Sequence, residues 1–126
     1  MTQHPDHIIS WFEIPATDFD RAVEFYETLL GVTLIHQNMD GNLLGVFPFK
    51  DGQISGCVLS GAKAVPSETG TVVYLKALPN LQTVLSRVDD AGGLIIKAAT
   101  PLPSGKGLHA QIIDSEGNRV GLFSYS

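Results

Sequence analysis

The chain has 126 residues, which suits one domain with a sizeable core and is short for two. Its 8 Lys and Arg residues against 13 Asp and Glu give a net charge of −5, which argues against nucleic acid because phosphate binding needs clustered cations. No apolar run approaches the roughly 18 residues of a membrane helix, so no membrane partner is expected. The single cysteine, Cys57, cannot form an internal disulfide, so a reducing cytoplasm is the expected location.

The first half of the chain predicts one strand, one helix and three further strands. A β-like run over residues 8–14 leads into a helix that Thr17 or Asp18 can cap. Apolar residues then recur at helical spacing until Gly31, where glycine tolerates the left-handed geometry that ends a helix. Short β-like runs separated by turn residues follow at 32–37, 43–49 and 54–59.

The second half repeats this pattern. A strand over 71–78 precedes a helix from Leu81 to Ala91, which Gly92 and Gly93 end. Three more strands are predicted at 94–98, 108–114 and 119–125, with a glycine- and proline-rich loop over 99–107.

The two halves keep a nearly constant offset, which indicates an internal duplication. Asp18 and Asn80 lie 62 positions apart, and so do Gly31 and Gly93. Two copies are too few for a solenoid. The sequence therefore predicts one α+β domain over residues 1–126. Module one would cover about 7–60, a linker about 61–69 and module two about 70–126, each module with the order βαβββ.

Two motifs carry a resemblance to a known family. The first is Asp18 followed by Arg21-Ala22, Phe25-Tyr26 and Leu29-Leu30-Gly31; the second is Asp114-Ser115-Glu116-Gly117-Asn118 before the last strand. In this order they resemble the vicinal oxygen chelate superfamily, which includes glyoxalases, bleomycin-resistance proteins and extradiol dioxygenases. The resemblance implies two modules that form a cupped mixed β-sheet with helices on the outside, and a homodimer. It also implies a divalent metal in the cleft, acting on the substrate as a Lewis acid.

The metal positions implied by the resemblance carry no suitable donors. They fall on Trp11, on or beside Gly56, on Val73 and on Gly121. Hard or borderline divalent metals need oxygen or imidazole donors, and tryptophan, glycine and valine side chains offer none. No metal and no other cofactor is therefore expected.

Strand alternation selects candidate ligand contacts in the cleft. Trp11 and Glu13 share one face of the first strand, and Tyr74 and Lys76 share one face of the fifth. His109 alternates with apolar neighbours, and Arg119 lies an even number of residues from Gly121, so both side chains are expected to face the cleft. Glu13 has two interpretations, a contact to the ligand or an ion pair with Arg119.

Three functions remain open at this point. The favoured one is metal-independent binding of a small organic molecule in the cleft, with no catalytic residue assigned. The first alternative is a metal-dependent lyase, isomerase or dioxygenase of glyoxalase type, using unconventional ligands such as Glu13, His36 or His109. The second is a drug-sequestering protein, whose acidic aromatic groove would suit a bulky cation.

Overall fold

The computed structural model describes residues 7–126 and contains both predicted modules. Module one comprises β1 (Trp11–Pro15), α1 (Phe19–Leu30), β2 (Ile35–Met39), β3 (Asn42–Val46) and β4 (Ser55–Ser60). Module two comprises β5 (Tyr74–Lys76), α2 (Leu81–Leu85), α3 (Val88–Ala91), β6 (Leu94–Pro101), β7 (Leu108–Ile113) and β8 (Arg119–Ser124). All eight predicted strands are present, and no strand end is shifted by more than three residues. Strand β6 extends through part of the predicted 99–107 loop.

Each module forms its own four-stranded sheet with the same topology. The strand orders are β1-β4-β3-β2 in sheet one and β5-β8-β7-β6 in sheet two. In both sheets the first strand of the module pairs in parallel with the last, and the remaining pairs are antiparallel. The sheets are not closed into a barrel. The predicted α+β class with two βαβββ modules is confirmed.

Helix α1 is the best specified element of the chain. Asp18 caps it by accepting a hydrogen bond from the backbone N–H of Arg21 at 3.1 Å, and Gly31 ends it with a φ of 67°. One broad face of the helix is buried, and it carries Ala22, Val23, Phe25, Tyr26 and Leu29. The width of this face reflects two neighbours, because α1 contacts β3 and β4 on one side and α2 and α3 on the other.

The prediction of a single second helix from Leu81 to Ala91 was wrong, because the structure has two short helices there, α2 and α3. The break falls at Ser86 and Arg87. The Ser86 hydroxyl donates to the carbonyl of Thr83 at 2.6 Å, and the N–H of Arg87 turns to the carbonyl of Val84, three residues back. Serine side chains that bond to the backbone in this way compete with regular helical bonding.

One face of each sheet is covered by helices and the other is not. The covered faces, with α1, α2 and α3, contribute to a single apolar core that includes Ile14, Tyr26, Leu81, Ile112 and Leu122. The opposite faces point away from this core; they are called here the uncovered faces. Among the described residues no helix has the length and apolar character needed to cross a membrane.

Candidate functional site

Trp11 and Glu13 lie on the uncovered face of sheet one, as alternation predicts. Both are exposed, Trp11 to 41%, whereas Ile14 is buried in the core. Glu13 is opposite Cys57 in the parallel β1–β4 register, so the two side chains share this face. Cys57 is fully buried within a small apolar cluster with Leu44 and Val46. Sheet one therefore offers an aromatic ring and a carboxylate above an apolar floor.

The thiol of Cys57 is unsuited to nucleophilic chemistry. Burial, and secondarily the charge of Glu13, raises its pKa to about 11, although the Trp11 side chain acts in the opposite direction. The reactive form of cysteine is the thiolate, so this group is protonated and unreactive near neutral pH. Cys57 therefore serves as a small buried apolar residue.

A second polar and aromatic group lies on the uncovered face of sheet two. The Gln111 amide donates a hydrogen bond to the Tyr74 hydroxyl at 2.8 Å, and the ring of His109 lies 6.3 Å from the Tyr74 ring. The Tyr74 ring lies directly over Gly121, where a Cβ atom would come within 2.3 Å of it. Lys76 is exposed two residues along the same strand. Tyr74 is thus held in place while 45% of its surface remains exposed.

A cavity of about 180 Å³ lies where the two modules meet. Glu13 of β1 and Arg119 of β8 line it, together with the hydroxyl side chains Ser67, Thr69 and Thr71 of the connection between the modules. Within residues 7–126 the two charged side chains form no ion pair, since the only such contact joins Arg21 to Glu116. The interpretation of Glu13 as an ion-pair partner of Arg119 was therefore wrong.

The six predicted contact residues fall into three places rather than one cleft. Trp11 and Glu13 lie on sheet one and Tyr74, Lys76 and His109 on sheet two, while Glu13 and Arg119 meet at the cavity between the modules. Their role in binding stays a prediction. Gln111 and the three hydroxyl residues of the connection were absent from the predicted set. Alternation gives Gln111 the same strand parity as His109, but it was not chosen as a contact; no pattern pointed to the connection.

The described residues do not match the donor set that the family's metal requires. Nowhere in the range 7–126 do three or more His, Cys, Asp or Glu side chains come together as a metal ligand group. His36, one unconventional candidate, lies edge-on to Phe19 at 5.3 Å, on the helix-covered side of its sheet.

The closing hairpin, residues 114–118, joins the two modules. The carboxylate of Asp114 is 3% exposed and accepts four hydrogen bonds. They come from the hydroxyl of Tyr26 at 2.6 Å, from the backbone N–H groups of Glu116 and Asn118 at 2.9 Å each, and from the Asn118 amide at 3.0 Å. The same Asn118 amide donates to the carbonyl of Pro15 at 2.7 Å. The second family motif is thus a structural clasp between β8 and module one.

Glu116 binds the beginning of α1. Its carboxylate accepts hydrogen bonds from the backbone N–H groups of Thr17 and Asp18, at 2.9 and 2.7 Å, and from the Arg21 guanidinium at 2.6 Å. A carboxylate is favoured at a helix N-terminus, where backbone N–H groups lack partners within the helix.

We expect the contribution of Glu116 to stability to be lost in acid. Burial acts to raise its pKa, but hydrogen bonds from Arg21, the backbone of Asp18 and Ser115 outweigh burial and lower the pKa below the usual 4.5. A carboxyl with a lowered pKa in the folded state stabilises the fold above its unfolded pKa and ceases to do so as the pH falls through the folded value. In urea unfolding, Glu116→Gln should be less stable than the original chain at pH 7, and the difference should shrink below about pH 4.5. A difference independent of pH would contradict this assignment.

Comparisons with known proteins agree with the duplicated fold. The model of the family described as Glyoxalase/Bleomycin resistance protein/Dioxygenase superfamily matches residues 6–122. Among solved structures, a point mutant of glyoxalase I from Zea mays superposes with a TM-score of 0.72 at 19% identity, covering 92% of this chain and 46% of that one. This chain therefore spans about half the length of the maize protein.

Two other solved structures match over most of both chains. An integron cassette protein from the mobile metagenome of V. cholerae has a TM-score of 0.66 at 18% identity, with 100% of each chain covered. A glyoxalase-related enzyme from Fulvimarina pelagi has a TM-score of 0.64 at 14% identity, covering 91% of this chain and 86% of that one. No curated protein matches the sequence. The family match over residues 6–122, with the two βαβββ modules, shows that the chain belongs to the Glyoxalase/Bleomycin resistance protein/Dioxygenase superfamily.

Proposed function

We propose that the protein binds a small organic molecule with a flat ring on the uncovered faces of its sheets, without a metal ion. One observation carries this proposal. The residue at the metal position of the last strand is Gly121, and the exposed ring of Tyr74 lies over it. A ring surface takes the place of a metal donor there.

Sheet two supports the proposal because its aromatic surface is held in advance of binding. The hydrogen bond from Gln111 fixes the Tyr74 hydroxyl, and Gly121 lets the ring lie close to the sheet. Aromatic rings stack on one another in offset or edge-to-face geometry, which contributes about 0.5–1.5 kcal/mol beyond the buried area. His109 adds a donor or acceptor beside the ring, at 6.3 Å between centroids.

Sheet one supplies the complementary groups. Trp11 adds a second partly exposed ring, and Glu13 adds a charge that would favour a ligand donor or a cation. Both side chains lie beside apolar residues of the same face, which include Cys57. A flat ligand with a hydrogen-bond donor at its edge would use all three features.

A second copy of the chain would bring the two uncovered faces together. Within one chain the covered sides of both sheets share a core, so the uncovered faces point away from it. Large apolar side chains are exposed on both uncovered faces, among them Ile35 at 52%, Met39 at 54% and Leu94 at 57%. We therefore propose that the protein is a cytoplasmic homodimer. Sheet one of each subunit would lie opposite sheet two of its partner.

Tryptophan fluorescence tests the proposal directly, because Trp11 is the only tryptophan. Titration with a panel of neutral, anionic and cationic ring compounds should yield at least one that quenches Trp11 saturably, with or without EDTA. Tyr74→Leu should weaken the binding of that compound about tenfold, which is equivalent to about 1.4 kcal/mol of binding free energy. Tyr125→Leu is the matched control, because Tyr125 is 83% exposed and packs only on Phe123 among aromatic side chains of the described residues.

Three outcomes would overturn the proposal. A tightly bound divalent ion in native mass spectrometry, lost on Glu13→Gln, would favour the metal-dependent alternative. A response to bulky cations such as bleomycin alone would favour drug sequestration. Equal binding by Tyr74→Leu and the original chain would remove the aromatic site. The native mass spectra also report the number of subunits.

A further inference from the structure

The cavity between the modules is a candidate for a second binding site, separate from the rings on the uncovered faces. Neither Trp11 nor Tyr74 lines it. Its volume of about 180 Å³ lies below the roughly 300–1,000 Å³ typical of sites for drug-sized ligands. An occupant must therefore be a compound of few atoms.

Arg119, which lines the cavity, makes no ion pair and no side-chain hydrogen bond among the described residues. The Nε atom of Arg119 is buried and has no hydrogen-bond partner among the described residues. Buried polar groups in proteins are almost always paired, so an unpaired guanidinium N–H indicates a missing acceptor. The backbone of Arg119 is held by its place in β8 and by a hydrogen bond from its N–H to the carbonyl of Ser67 at 3.3 Å.

An anion lines the same cavity without neutralising this cation. Glu13 is on β1, in the other module, and within residues 7–126 it is in no ion pair. The hydroxyl residues Ser67, Thr69 and Thr71 lie between the two modules along the wall. The cavity therefore presents separate positive and negative groups with polar groups between them.

We propose that this cavity binds a small zwitterion of the α-amino acid class, with its carboxylate on Arg119 and its ammonium group on Glu13. Guanidinium and carboxylate groups match in geometry and form strong paired hydrogen bonds. A simple anion would bind to Arg119 but would be repelled by Glu13. A simple cation would bind to Glu13 but would be repelled by Arg119. A zwitterion satisfies both charges in a space of this size. The proposal does not depend on the ligand proposed for the uncovered faces.

Protein NMR with L-alanine, propionate and ethylamine as probes tests the assignment. L-alanine at millimolar concentrations should shift the backbone amide signals of Thr69 and Arg119 saturably. Propionate and ethylamine, each with one of the two charges, should bind at least tenfold more weakly. The absence of saturable shifts with L-alanine, or equal binding of propionate, would overturn the proposal.

Two variants separate the roles of the charges. Arg119→Gln should abolish the response to L-alanine, and Glu13→Gln should remove the preference for L-alanine over propionate. Glu13 is exposed, so that variant is expected to fold even if Arg119→Gln does not. Lys106→Gln removes an exposed positive charge that does not line the cavity and should leave binding unchanged. L-alanine binding that survives both cavity variants would contradict the site. Arg119→Gln leaves Trp11, Tyr74 and the shared Glu13 in place, so retained Trp11 quenching by a ring compound in that variant would show that the two sites are distinct.

Discussion

Replacing Asp114 by alanine should lower the free energy of unfolding by about 3–5 kcal/mol, because several buried donors would lose their acceptor at a cost of about 1–3 kcal/mol each. The carboxylate is the common acceptor for the Tyr26 hydroxyl, two backbone N–H groups of the closing hairpin and the Asn118 amide. Its removal leaves these donors without their partner in a region that is nearly closed to water. Since small domains are stable by only about 5–15 kcal/mol, urea unfolding followed by circular dichroism should show a large drop in midpoint.

Tyr26→Phe is the matched control for this change. It keeps the buried ring and removes one of the four donors, leaving three hydrogen bonds to Asp114. The expected cost is about 1–2 kcal/mol, near the usual value for one hydrogen bond to a charged group. If Asp114→Ala proves no worse than Tyr26→Phe, the carboxylate is not the centre of the clasp.

Gly56→Ala should destabilise the fold by about 2–4 kcal/mol, because the added methyl group has no space. A Cβ atom at Gly56 would lie 2.4 Å from the backbone oxygen of Phe12 and 2.5 Å from its ring. The oxygen belongs to β1, which pairs with β4 at this position, so relief would require the strands to separate. Urea unfolding of the variant measures this cost.

Gly121→Ala provides the contrasting case in the second module. The three atoms nearest to its Cβ atom would all belong to the ring of Tyr74, which is partly exposed and can rotate away from the sheet. We expect a stability loss below that of Gly56→Ala, together with loss of the hydrogen bond from Gln111 and weaker ligand binding. A larger loss of stability in Gly121→Ala than in Gly56→Ala would contradict this distinction between backbone and side-chain collisions.

The duplication and most element positions could be predicted because local signals agree with the final fold. Asp18 and Gly31 bound α1 in the structure as their capping chemistry predicts, and Asn80 caps α2 through the N–H of Thr83 at 2.8 Å. Alternation also placed Trp11 and Glu13 on one exposed face. These features depend on neighbours in the chain, which a sequence displays directly.

Features that depend on distant contacts could not be predicted. At the break after α2, Arg87 donates a hydrogen bond to the carbonyl of Leu29 in α1 at 3.1 Å, a contact between residues 58 positions apart. The cavity between the modules requires the path of residues 61–73, which carries no periodic pattern. The separation of Glu13 from Arg119 likewise depends on how the modules dock. Strand parity predicted that both side chains face the same space, but it does not predict the distance between them.

The clasp made by residues 114–118 has a consequence for biosynthesis. The ribosome completes module one long before Asp114 and Glu116 emerge, although these residues bond to Tyr26 and to the start of α1. We expect a nascent chain halted before the clasp to leave α1 sensitive to protease, and one halted after β8 has emerged to protect it. Equal protection at both arrest points would show that the first repeat matures by itself.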